Sequence, residues 1–365
     1  MHSRKGRAIF SLLQPAGQTV TCFISVFQTQ QDISRGRSNN EVKRTLSSRQ
    51  EPANEWADIS SRSRIRRFKQ NVSRDFFLYL LILPGILYFL IFKYVPMWGV
   101  LIAFQDYSAY LGFFQSKWVG FEHFERLFAN PDFYLLLRNT MMINVLNLLF
   151  FFPLPIVLSL LMNEIRLEWF KKTIQSIVYL PHFLSWVIIV GISFLMLSKT
   201  EGVVNHLIEY AGLQRIDFLT DARYFWILLT LQSIWKEVGW GTVIFLAAIA
   251  GVDVQLYEAA RMDGAGRLRQ MWHITLPAIR NVIMILLILR IGHIMDVGFE
   301  QVYLMMNGAV AEVAEVFDTY VYRTGILQGQ FSFSTAVGLF KSVIGLVLVV
   351  VSNQLAKKFG EEGVY

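Results

Sequence analysis

Residues 257–277 read Tyr-Glu-Ala-Ala-Arg-Met-Asp-Gly-Ala-Gly-Arg-Leu-Arg-Gln-Met-Trp-His-Ile-Thr-Leu-Pro. This is the one long polar and charged interruption between strongly apolar runs in the C-terminal half. Its pattern predicts a helix, a turn and a second short helix. Asp253 stands as an N-cap ahead of Gln255, Leu256 and Tyr257, where its carboxylate can accept a free backbone N–H. Ala259 and Ala260 are small and allow another surface to come close. Gly264 and Gly266 are expected to end the helix, because glycine turns left-handed without penalty. Residues 267–273 then form the second helix, at an angle to the first. Pro277 restarts the chain in a first-turn position, where a missing N–H costs nothing.

The runs on either side set the fold class. The chain has 365 residues, of which 54% are hydrophobic. A soluble domain holds about 45–50% apolar residues. The excess lies in runs of about 20 residues, the length that crosses a bilayer. The reading is an all-α integral membrane protein with six transmembrane helices and both termini inside. The spans are placed at 76–94, 139–162, 174–197, 224–250, 277–299 and 334–355. Pro84-Gly85 should bend the first, Pro153 and Pro155 should break the second, and Pro181 lies near the start of the third. Residues 121–128 and 202–213 read as short amphipathic helices outside the bilayer core.

The net charge of +7 suits flanking charge beside the bilayer better than nucleic acid. Arg62, Arg64, Arg66, Arg67, Lys69 and Arg74 form a basic collar before the first span and suit anionic membrane lipid. The positive-inside rule places the collar, the 251–277 loop and Lys357-Lys358 in the cytoplasm. Residues 1–60 are polar and mixed and read as a poorly ordered cytoplasmic extension. They precede a six-span membrane domain over 61–365. The single cysteine, Cys22, allows no internal disulfide.

Polar groups inside a span are expensive and face a pathway or a partner. The candidates are Gln232, Trp235, Lys236 and Glu237 in the fourth span, and Arg290, His293 and Asp296 in the fifth. On one continuous helix Arg290, His293, Asp296 and Glu300 fall within about 120° of one face. Trp235 and Trp240 offer aromatic faces beside these polar groups, and Trp240 equally fits an interface anchor. Glu237 and Arg290 each lie roughly 20 Å along their helices, at about 1.5 Å per residue. Matching depth predicts an ion pair between them in at least one access state. Lys236 with Asp296 is the competing assignment.

No phosphate-binding G-x-x-x-x-G-K-[ST] sequence occurs, nor G-x-S-x-G, H-E-x-x-H or a cysteine-pair zinc pattern. The chain therefore carries no recognisable ATPase site of its own. A self-sufficient channel or secondary transporter for a small polar solute accounts for the intramembrane charges. It does not account for the 251–277 loop.

Glu258, Ala259, Ala260, Asp263, Gly264, Ala265, Ile274, Leu276 and Pro277 resemble the EAA loop of binding-protein-dependent ABC importer permeases. Asp318–Gly325, Ala336–Ser342 and the ending Gly363-Val-Tyr365 resemble the carbohydrate subgroup similar to the larger membrane subunit of maltose-type importers. The resemblance covers about residues 76–365 and implies a type I ABC importer fold in the bacterial inner membrane. It implies a second related permease, two cytoplasmic ABC ATPases that bind ATP and magnesium, and an extracytoplasmic solute-binding protein. It implies that Glu258, Ala259, Ala260, Asp263, Gly264 and Gly266 couple the ATPase to the spans. An oligosaccharide or polysaccharide is the implied cargo, and some members of the subgroup serve alginate.

Overall fold

The computed structural model describes residues 76–358 and Gly360. The 1–60 extension, the basic collar and the ending Gly363-Val-Tyr365 lie outside the described residues. The chain divides into two compact units, and the first ends at Phe89. Its described part is one helix, Phe76–Phe89, with Pro84 inside.

Among the described residues, four helices can cross a membrane by length and composition: Phe76–Phe104, Phe133–Asn163, Ala222–Ala250 and Phe331–Lys358. Two bent pairs raise the count to six if each is one span. Glu168–Phe183 and Trp186–Leu197 meet at 101°, and Arg267–Ala278 and Arg280–Gly292 meet at 59°. The third and fifth spans are therefore not the continuous helices expected. At the first break Pro181 enters a tight turn, Leu180–Phe183. Ser185 then restarts the helix, its hydroxyl accepting the Ile188 N–H. At the second break Ile279 leaves helical geometry with ψ 5°. The fifth span ends at Gly292 rather than Phe299, so His293, Asp296 and Glu300 do not continue its face.

The expected break at Pro153 does not occur. Phe133–Asn163 runs through it because Asn147–Phe151 forms a wide π turn. The Phe152 N–H reaches five residues back to the Asn147 carbonyl at 3.0 Å. A proline ring clashes with the carbonyl four residues upstream. That carbonyl, on Leu149, is the centre of the π turn. The same register recurs twice. Leu90–Tyr94 is centred four residues before Pro96, and Met271–Thr275 four before Pro277. Each π turn widens the helix where the ring needs room.

Buried residues gather in three clusters. One joins Ile143, Val190, Phe225, Leu229, Val302 and Met305. A second joins Leu127, Leu136, Met295, Phe317 and Phe333. A third joins Leu160, Phe245, Ile249, Met271 and Ile279. Lipid is as apolar as leucine, so close packing rather than escape from water holds such helices together. Arg280–Gly292 lies against Phe331–Lys358 at a glycine contact. A side chain on Gly345 would stand 2.6 Å from the Gly292 carbonyl oxygen.

The segments between spans are ordered. Gln105–Asp106 pairs antiparallel with Lys117–Trp118, a small sheet that hydropathy does not predict. The expected amphipathic helices are present as Glu122–Ala129 and Val203–Tyr210. Beside the second, the Arg215 guanidinium bonds Glu209 at 2.7 Å and holds its carboxyl below the usual range.

Candidate functional site

The 251–277 loop is built from its caps. Asp253 Oδ1 accepts the Gln255 N–H at 2.9 Å and starts the helix Val254–Met262. The Ala265 N–H reaches the Ala260 carbonyl at 2.8 Å, and the Gly264 N–H reaches Arg261 at 3.1 Å. This reciprocal pair is a Schellman ending, which needs a left-handed residue between. Gly264 supplies it with φ +75°. Gly266 does not share that role: it is extended and stands at the N-cap of the next helix, while Asp263 closes the first helix as its C-cap.

The loop is tied to the spans at two points. The Tyr257 hydroxyl meets Thr275 Oγ1 at 2.9 Å, and Arg267 lies 3.7 Å from the Glu164 carboxylate at the end of Phe133–Asn163. Met271 is buried in the third cluster, whereas Trp272 is 64% exposed. Leu256, Met262 and Leu268 are also exposed, Met262 at 88%. Glu258, Ala259, Asp263 and Gly264 share that exposure, while Ala260 is half-buried. The loop thus exposes large apolar side chains as well as charged ones.

The second constellation lies at the break in the third span. Lys236 Nζ donates to the carbonyls of His182 and Leu184, each at 2.7 Å. The break deprives those carbonyls of helical partners, and the buried ammonium supplies them. Glu237 Oε2 accepts from His182 Nδ1 at 2.7 Å, and Trp240 stacks on the His182 ring at 4.5 Å. Further along, Gln232 Nε2 donates to Ser193 Oγ at 2.8 Å, and Gln301 donates to Gln232 Oε1 at 3.1 Å. Trp235 is half-exposed beside this seam.

Neither predicted ion pair is present in this conformation. Glu237 is taken by His182, and Arg290 lies over the Phe151 ring at 5.4 Å. Lys236 caps the break, and Asp296 pairs with Lys341 at 2.8 Å. The depth argument assumed unbroken helices. The bend at Ile279 and the end at Gly292 remove the shared register. His293 lies just past that end, its Nδ1 bonded to the Leu289 carbonyl at 2.8 Å. The sequence reading missed His182, Gln301, Asp318 and Lys341. The last was detectable as a lone lysine within an apolar run, but its partners lie on distant segments.

Replacing Lys236 by methionine tests the cap. Two part-buried carbonyls would lose their donor, at the lower end of roughly 1–3 kcal/mol each. The purified protein is expected to unfold at a lower temperature. An unchanged midpoint would show that the break holds without the lysine.

A bundle of apolar helices joined by a polar seam, with an exposed two-helix loop, defines a membrane transport subunit. Residues 59–360 match the model of the binding-protein-dependent transport system inner membrane component, and the chain belongs to that family. It is thus the permease component of an ABC importer. It is 57% identical over 309 residues to a polygalacturonan/rhamnogalacturonan transport system permease protein of Bacillus subtilis (strain 168), covering 85% of this chain and 96% of that one. An arabinooligosaccharides transport system permease protein of the same organism is 28% identical over 304 residues, covering 81% and 95%. Among solved structures, a bacterial alginate ABC transporter in complex with alginate pentasaccharide-bound periplasmic protein contains a chain similar to this one. The likeness has a TM-score of 0.74 at 40% identity and covers 82% of this chain and 100% of that one.

Proposed function

We propose that this subunit forms half of a translocation pathway for an acidic oligosaccharide. A solute-binding protein delivers the sugar, and a second, related permease completes the pathway. Two cytoplasmic ABC ATPases bind ATP and magnesium and drive the cycle through the 251–277 loops. ATP favours one access state over the other, and that difference turns the pathway. The six-span count rests on the apolar runs, and the placing of loop and both termini in the cytoplasm of a bacterial inner membrane rests on charge. Leaving residues 1–60 aside, fifteen basic residues flank the spans on the inner side of that topology and seven on the outer side.

The observation that carries the proposal is the exposed loop, because the sequence has no ATPase site and energy must enter from a partner. The cargo follows from the similar proteins, two of which serve uronic-acid polymers by name. The test is uptake of trigalacturonate into proteoliposomes holding the full complex. Preference for neutral oligosaccharides would overturn the acidic cargo.

Glu258 is one of the loop's exposed acids, and it is read as meeting a basic cleft on the ATPase. Glu258→Lys would set like charges across that interface, which costs several kcal/mol. Co-purification of the ATPase is expected to fall at least tenfold, since about 1.4 kcal/mol is one decade. Equal recovery with the wild type would show that Glu258 is merely solvated.

A further inference from the structure

We infer that Arg290 and the face of Phe151 form a subsite for the carboxylate of an acidic sugar, and that Arg290 sets selectivity for charged cargo. The inference rests on the acidic-oligosaccharide reading and names the group that would recognise the charge.

Arg290 differs from the other intramembrane charges described. Lys236 has two carbonyls, Glu237 has His182, and Lys341 has two carboxylates. Among the described residues no carboxylate lies within ion-pair distance of Arg290. Its contact is the Phe151 ring, 5.4 Å from the guanidinium carbon. A ring face attracts a cation but does not satisfy five N–H donors. An arginine cannot escape by losing its proton, so at membrane depth it calls for an anion from elsewhere.

The space beside it is shaped for one. Arg290 lines a cleft of about 280 Å³ bounded by three segments of its own chain. Phe151, Phe152 and Pro155 come from the second span, and Gly241, Ile244 and Phe245 from the fourth. Leu286, Leu289, Arg290 and His293 close the third side. Ligand pockets that enclose a whole small molecule run from about 300 Å³ upward. This cleft therefore suits one unit of a longer chain. Its walls are apolar apart from Arg290 and His293, which leaves the guanidinium as its one permanent charge.

Sugar and site match by chemistry. A uronic-acid unit presents a planar carboxylate, for which a guanidinium is the bidentate partner. It also presents an apolar ring face that packs on an aromatic such as Phe151. A carboxylate from the second permease is the rival anion.

The test uses the full complex, with both permeases, the ATPases and the binding protein, in proteoliposomes. Initial uptake is compared for trigalacturonate and for its fully methyl-esterified form, which keeps the sugar and removes the charge. In Arg290→Gln the ratio of acid to ester uptake is expected to fall about tenfold, the weight of one charge-assisted bond. Arg290→Lys keeps the charge without the fork and should fall between. An unchanged ratio overturns the subsite. Loss of the second permease on purification of Arg290→Gln also overturns it, assigning the arginine to that neighbour. A wild-type complex that imports the ester but not the acid overturns the acidic-cargo reading itself. That outcome is distinct from an unchanged ratio in the variant.

Discussion

Replacing Gly264 by proline is expected to abolish coupled uptake while leaving the protein inserted in the membrane. The Schellman ending fails on two counts. Gly264 holds φ +75°, and proline is fixed near −65°. The Gly264 N–H bonds the Arg261 carbonyl at 3.1 Å, and proline has no N–H. The first helix would then lose its stop and the angle it makes with the second. An alanine at the same place separates the two effects. It keeps the N–H, and its Cβ would meet nothing within 4 Å. It pays only the left-handed penalty of about 1–2 kcal/mol. The proline variant should therefore hydrolyse ATP without transport, while the alanine variant retains part of both. The measurement is ATP hydrolysis and uptake in the same proteoliposomes. Normal uptake by the proline variant would remove the turn from the coupling path.

The loop could be read so closely because its signals are local. Asp253 caps the N–H two residues on, and Gly264 turns the backbone at its own position. The fourth span was equally plain, expected at 224–250 and found at Ala222–Ala250. What escaped depends on residues far apart in sequence. Pro153 reads as a break only if the helix ahead of it stays α, and nothing in 147–151 announces the π turn that accommodates it. Pro181 is compatible with a helix start or a bend. The 101° break it accompanies is held by Lys236, more than 50 residues away. The charges were visible as costly groups, so that some partner was required was legible. Which partner was not. Glu237 and Arg290 match in depth on ideal helices, yet His182, displaced by the break, reaches Glu237 first.

Lys341 gives the other large expected effect. It is 8% exposed in the middle of the last helix and bonds both Asp318 and Asp296, the latter at 2.8 Å. Asp318 also accepts the Val297 N–H at 3.2 Å. The lysine therefore anchors the stretch that follows the end of the broken fifth span at Gly292. Replacing it by methionine fills the same space but leaves Asp318 charged and part-buried, its side chain 22% exposed. Removing one partner of a fully buried pair costs about 3–5 kcal/mol, and the part-buried Asp318 places this loss below that range. Asp296 is mostly exposed and adds little, because solvent screens it. Lys341→Met is expected to lower the unfolding temperature of the purified protein and to reduce uptake. Adding Asp318→Asn removes the stranded charge and keeps an acceptor for the Val297 N–H. The double variant should therefore recover part of the stability that the single one loses. A lysine serving the cargo alone would behave differently: its loss would spare stability, and the asparagine would restore nothing. Thermal unfolding of the two variants and the wild type decides between these roles, since only an internal pair produces coupling between positions 318 and 341.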